Sequence, residues 1–83
     1  MSGEQVGVDL DEIRRLICDI LDVPVQPAHG LTRSEVAAWD SLKHMELVFA
    51  LEDRYDVRFD EAEFARLDSP ASIAMLVRHH LAT

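Results

Sequence analysis

Apolar residues recur at helical spacing in separate blocks along the chain. Leu10, Ile13, Leu16, Ile17, Ile20 and Leu21 form the first block and predict a helix over about residues 9–22. Asp9, Asp11 and Glu12 crowd its start, where the helix dipole favours negative charge. Pro24 and Pro27 close it and open a long connection that begins VPVQPAHG. In that connection Thr32 and Glu35 have capping-box spacing, with Leu31 and Val36 as the flanking staple, so a short helical turn is expected near residues 33–38. The second long helix runs from Ser41, behind a capping Asp40, to about Tyr55. Asp56 to Phe59 is a connection whose Val57 and Phe59 are spaced to plug a core. Asp60 with Glu63 marks a short third helix, about residues 61–67, with Phe59 and Phe64 as its staple. Ser69-Pro70 places a cap and a first-turn proline ahead of a last helix, whose inward face is Ile73, Leu76, Val77 and Leu81. No segment alternates with the period of a strand. The expected fold is an all-α bundle of three longer helices and one short helix, with a long first loop. It is expected as a single domain over residues 1–83, with a frayed polar N-terminus over residues 1–7.

The second helix departs from the usual single stripe. At about 100° per residue, Leu47, Val48, Leu51 and Tyr55 share one side, an ordinary core face. Leu42, Met45 and Phe49 lie nearly opposite, within an arc of roughly 60°. A helix in a small domain has one core to face, so these three are expected to stay exposed for a partner. Glu46, Glu52 and Asp53 flank them with negative charge. The second stripe starts at the residue after Ser41.

Charge narrows the range of partners. Sixteen acidic and 8 basic residues give a net charge of −8. Nucleic-acid phosphates and anionic membrane surfaces repel such a surface, so neither is an expected partner. Basic patches on other proteins complement it. The single cysteine, Cys18, excludes an internal disulfide. No apolar run approaches a membrane span, and MSGEQVGVDLDE lacks the blocks of a signal peptide. A cytoplasmic monomer is the expectation.

Little in the chain points to catalysis. A nucleophilic serine needs a base within hydrogen-bond reach and a third group to orient that base. His29, His44, His79 and His80 are the candidates. His44 falls about 200° around the helix from Leu42, towards the core, and reads as a polar residue at the core's edge. His79 and His80 suit the end of the last helix, where positive charge is favoured. No Cys/His cluster has zinc spacing, and no metal site is expected. Residues 53–64, DRYDVRFDEAEF, have the length of a calcium loop but put Tyr55, Val57 and Arg58 where ligands and a glycine are needed.

Ser41 is the residue these patterns converge on. It stands at a helix N-terminus, where free N–H groups and the dipole stabilise a phosphate ester. An apolar, acid-rimmed ridge begins beside it. A modified serine next to a docking ridge accounts for both without a catalytic site. An unmodified adaptor, laying the Leu42/Met45/Phe49 ridge in a partner's groove, is the alternative from another class.

Asp40-Ser41-Leu42, ELVFALEDRYDVRF (residues 46–59) and LDSPASIAMLV (residues 67–77) together resemble an acyl carrier protein. The likeness is strongest from Trp39 to Val77. It implies that Ser41 receives a 4′-phosphopantetheine arm from coenzyme A, attached by a separate phosphopantetheinyl transferase. The arm's thiol would then carry an acyl group as a thioester between enzymes, and the carrier itself would catalyse nothing. An acyl-loading enzyme, either an acyltransferase or an adenylating ligase, and a ketosynthase or other acyl acceptor are the partners it implies. Recognition would map onto Asp40, Leu42, Met45, Glu46, Phe49, Glu52 and Asp53. Trp39 stands where a glycine commonly precedes Asp-Ser, and Lys43 and Arg54 add positive charge to a helix that is usually more acidic. The Trp-Asp-Ser-Leu form is similar to discrete carriers of polyketide and mixed secondary-metabolite pathways; peptidyl carriers, with aminoacyl cargo, share the serine. Trp39 itself is expected to anchor the long connection by packing.

Overall fold

A computed structural model describes residues 8–27 and 30–82. The expected frayed N-terminus, residues 1–7, and the candidate base His29 lie outside the described residues. Four helices follow in order: α1 (Leu10–Leu21), α2 (Ser41–Tyr55), α3 (Glu61–Phe64) and α4 (Pro70–Ala82). The expected three long helices, one short helix and long first loop are all present.

Each terminus has a local cause. Asp9 caps α1 by accepting the Asp11 N–H at 3.0 Å. Asp22 ends that helix in the left-handed conformation at φ 58°, and Asp56 ends α2 in the same way at φ 55°. Aspartate tolerates this region better than most residues because its short polar side chain bonds locally. Asp40 caps α2 by accepting the Lys43 N–H at 2.9 Å. Ser69 caps α4 through the Ser72 N–H at 3.2 Å, ahead of Pro70 in the first turn.

Two expectations need adjusting. The helix α3 stops at Phe64 rather than 67, because the N–H groups of Arg66 and Leu67 bond back only three residues, a tighter turn. The Asp60 N–H does donate to the Glu63 carboxylate at 2.9 Å, as box spacing required. In the first loop, Val36 and Glu35 N–H groups both reach the Thr32 carbonyl, giving the expected turn without a helix. There the Thr32 hydroxyl donates to the Glu35 carboxylate at 3.0 Å, in place of the reciprocal backbone bonds of a capping box.

The core is built from every segment. Ile13, Ile17 and Leu21 of α1 meet Leu47, Val48 and Leu51 of α2 and Ile73 and Val77 of α4, with Leu31, Trp39, Val57, Phe59 and Leu67 arriving from connections. Each such side chain contributes about 1.5–3 kcal/mol when fully buried. Leu81, expected to face inward, is exposed at the end of α4, and Leu10 is likewise exposed at the start of α1. Polar ties close the bundle's edges. Glu12 of α1 accepts from Tyr55 at 2.9 Å and pairs with Arg54, both of α2. Arg78 of α4 donates to the Val8 carbonyl at 3.1 Å.

Candidate functional site

Ser41 is the first residue of α2 and is exposed. Its position follows from the backbone on both sides. Asp40 holds the first turn twice, its carboxylate taking the Lys43 N–H and its carbonyl taking the His44 N–H at 2.9 Å. The N–H groups of Ser41 and Leu42 have no intrahelical acceptor, as at any helix start, and an anionic ester on Ser41 would sit in their field.

The ridge beside Ser41 is narrower than the helical wheel implies. Leu42 is 68% exposed and Phe49 60%, and both project from α2. Met45, expected with them, is half-buried and packs against the core. It precedes Val48 by one turn, so it lies on the flank of the core stripe, and its flexible thioether follows the core surface. The acidic rim also divides. Asp53 and Glu46 are exposed, Glu46 pairing with Lys43 at 3.6 Å. Glu52 is half-buried and accepts the Phe59 N–H at 2.9 Å. Its carboxylate thus organises the connection after α2 and is only partly available to a partner.

Behind Ser41 lies a polar contact inside the core. Trp39 and His44 are each 3% exposed. The Trp39 indole Nε1–H donates to His44 Nδ1 at 2.9 Å. An indole N–H can only donate, so Nδ1 must be unprotonated. The ring is therefore neutral, with its proton on Nε2, which donates to the Phe64 carbonyl at 2.6 Å. Trp39 thus anchors the long connection as expected, but through a specific bond as well as by packing. His44 lies inside the core rather than at its edge. Spacing alone could not reveal this pair, since Trp39 precedes the helix and no wheel relates the two. Both nitrogens of the ring are engaged, so His44 cannot serve Ser41 as a base. A shallow cleft of about 550 Å³ between α3 and α4 is lined by Glu63, Arg66, Ser72, Met75 and His79, and Ser41 is not part of it. Among the described residues, no cluster of three or more His, Cys, Asp or Glu is placed to hold a metal ion. None of their helices is long and apolar enough to cross a membrane.

A family model described as a phosphopantetheine attachment site matches residues 11–77. Acyl carrier protein 3 of Ralstonia nicotianae is 37% identical over 76 residues, covering 89% of this chain and 86% of that protein. The chain belongs to the acyl carrier proteins. The solution structure of a holo acyl carrier protein from Geobacter metallireducens matches the fold with a TM-score of 0.73, at 31% identity, over 88% of this chain and 85% of that one. The family's cofactor is covalent phosphopantetheine. An unmodified adaptor is thereby set aside.

The carrier's buried histidine makes its stability depend on pH. Burial holds His44 below its ordinary value of 6.5, with the nearby Arg33 charge acting the same way and the Phe64 carbonyl and Asp68 opposing. Below pH 6.5 the unfolded chain takes up this proton before the folded one does. Stability is therefore complete above about pH 6.5 and lost as pH falls through the folded value. A second loss follows in the carboxylate range, where Asp11, Glu12 and Glu63 are all held low, chiefly by Arg14, by Arg54 and by the Asp60 N–H respectively. Thermal midpoints from pH 8 to 3 should show both steps, and His44→Ala should lose the upper one. An unchanged upper step in that variant would place its origin elsewhere.

Proposed function

We propose that Ser41 is the attachment point of the 4′-phosphopantetheine arm and that this single-domain chain is a non-catalytic, monomeric, cytoplasmic carrier for polyketide or mixed secondary-metabolite synthesis. The observation that carries the reading is the exposure of Ser41 at the head of α2, within the matched family segment and beside an exposed apolar ridge. The arm fits what stands there: an accessible hydroxyl for the phosphodiester, and two first-turn N–H groups facing its charge. When bound, the arm supplies a thiol that holds an acyl group as a thioester. The chain's own part is to present that arm. With both ring nitrogens engaged, His44 is not the base that takes the Ser41 proton. The pathway assignment draws on the Trp39-Asp40-Ser41-Leu42 form. Co-expression with a phosphopantetheinyl transferase, followed by intact mass and peptide mapping, tests the attachment; loading by acyltransferases set against adenylating ligases tests the pathway. Aminoacyl loading in preference to acyl loading would overturn the cargo.

Leu42 and Phe49, with Glu46 and Asp53 beside them, are the surface we assign to the transferase, the loading enzyme and a ketosynthase or other acceptor. Asp40 and Glu52 contribute by shaping the two ends of α2, and Met45 by supporting the ridge from its flank. Leu42→Ala and Phe49→Ala should slow arm attachment and acyl transfer while changing stability by no more than about 0.5 kcal/mol. Met45→Ala should cost stability as well, about 1–2 kcal/mol, because its side chain is half in the core. Unfolding midpoints and transfer rates for the three variants check this. Equal stability losses in all three would mean that the ridge is core.

A further inference from the structure

We propose that His44 is a positioning residue for arm attachment, holding the Trp39-Asp40-Ser41 junction in its reactive arrangement and tying it to α3. This rests on Ser41 being the attachment point. His44 grips the two residues that immediately precede Ser41. Its backbone N–H bonds to the Asp40 carbonyl and its ring accepts from the Trp39 indole, both at 2.9 Å. The far side of the ring donates to the carbonyl of Phe64, the last residue of α3. The Ser41 hydroxyl makes no hydrogen bond of its own among the described residues, so its place is set by this junction. A transferase must meet Ser41 and α2 in one geometry, and small displacements of a reacting group are costly in rate.

The clamp holds in one protonation state only. A proton on Nδ1 would face the indole N–H donor to donor, and the bond to Trp39 would be lost. Two charged side chains act on the ring from the elements around it. Arg33, in the first loop, disfavours a charged ring, and Asp68, between α3 and α4, favours one. Burial is the largest influence and keeps the ring neutral. Acidification therefore opens the junction from within the core, where the ring is buried.

The test compares the full-length wild type with Trp39→Phe, which keeps an aromatic ring in the core but has no N–H to donate. Arm attachment from coenzyme A by one phosphopantetheinyl transferase is followed by intact mass from pH 5.5 to 8. Circular dichroism verifies that both proteins are folded at each pH. The transferase's own pH dependence cancels in the ratio of the two kcat/KM values. At pH 8 the wild type should be loaded roughly three- to tenfold faster, the scale set by one intramolecular hydrogen bond. The ratio should fall to about one as His44 protonates, read from its ring ¹⁵N shifts, since the wild type then lacks the bond that the variant never had. A ratio near one at pH 8, or one that stays constant while the His44 ring shifts report its protonation, overturns the proposal. Should Trp39→Phe not fold, the wild type alone decides: the Trp39 indole, the His44 ring and the Ser41 amide must titrate with one midpoint. A Ser41 amide that does not move as His44 protonates overturns the proposal equally. Peptide mapping of the wild type separates the two levels. An arm found on Ser34 or Ser69 would sink the assignment of Ser41, and this proposal with it, even with the ring bonds intact.

Discussion

Ser41→Ala should gain no mass when incubated with coenzyme A and a phosphopantetheinyl transferase, under conditions that convert the wild type completely. The loss is all-or-none because the hydroxyl oxygen becomes part of the phosphodiester, and alanine has nothing to replace it. The fold should be untouched. Asp40, not Ser41, caps α2, and the Ser41 side chain is exposed and takes no part in the core. Alanine is also the better helix former, by a few tenths of a kcal/mol. Thermal midpoints within a few degrees of the wild type should therefore accompany complete loss of loading. A variant that still acquires the arm would show that another serine is the acceptor. A variant that fails to fold would show that the hydroxyl has a structural partner.

The parts of this fold that were legible from sequence are those governed by neighbours in the chain. Asp40 and Ser69 cap helices because short polar side chains reach N–H groups three residues on, a relation that spacing expresses directly. Ser41 was legible for the same reason, as the residue between a cap and an apolar stripe. What spacing could not express is where the helix meets its surroundings. A wheel puts Met45 with Leu42 and Phe49, yet the core wraps far enough around α2 to cover part of it. The wheel likewise treats Glu52 as a rim charge, whereas the chain turns back after Asp56 and brings the Phe59 N–H to its carboxylate. His44 is the sharpest case. Its angle on the wheel pointed inward, but a polar ring is tolerated there only because Trp39 and Phe64, from two other segments, satisfy both nitrogens.

Trp39→Ala should be among the most destabilising single changes in this carrier, lowering stability by about 3–5 kcal/mol. The first part of the cost is the void left by a side chain that is 3% exposed and packed in the main core. The second is His44 Nδ1, which would lose its donor in a place where water does not readily reach, a penalty of about 1–3 kcal/mol if unrelieved. These are overlapping contributions, because a cavity large enough to admit water relieves the second at the expense of the first. A domain of 83 residues has a total stability on the order of 4–12 kcal/mol, so this one residue accounts for a large share. In urea, with a slope of about 1.5 kcal/mol/M, the midpoint should fall by about 2–3 M at pH 8. Trp39→Phe should fall by less, since most of the apolar surface is kept and only the indole donor is removed. At a pH low enough to protonate His44 the gap between Trp39→Phe and the wild type should narrow, while the gap for Trp39→Ala should persist, because the void does not titrate. If Trp39→Ala instead unfolds with a midpoint close to the wild type's, the indole is not holding the first loop against the bundle, and the geometry behind Ser41 has another source.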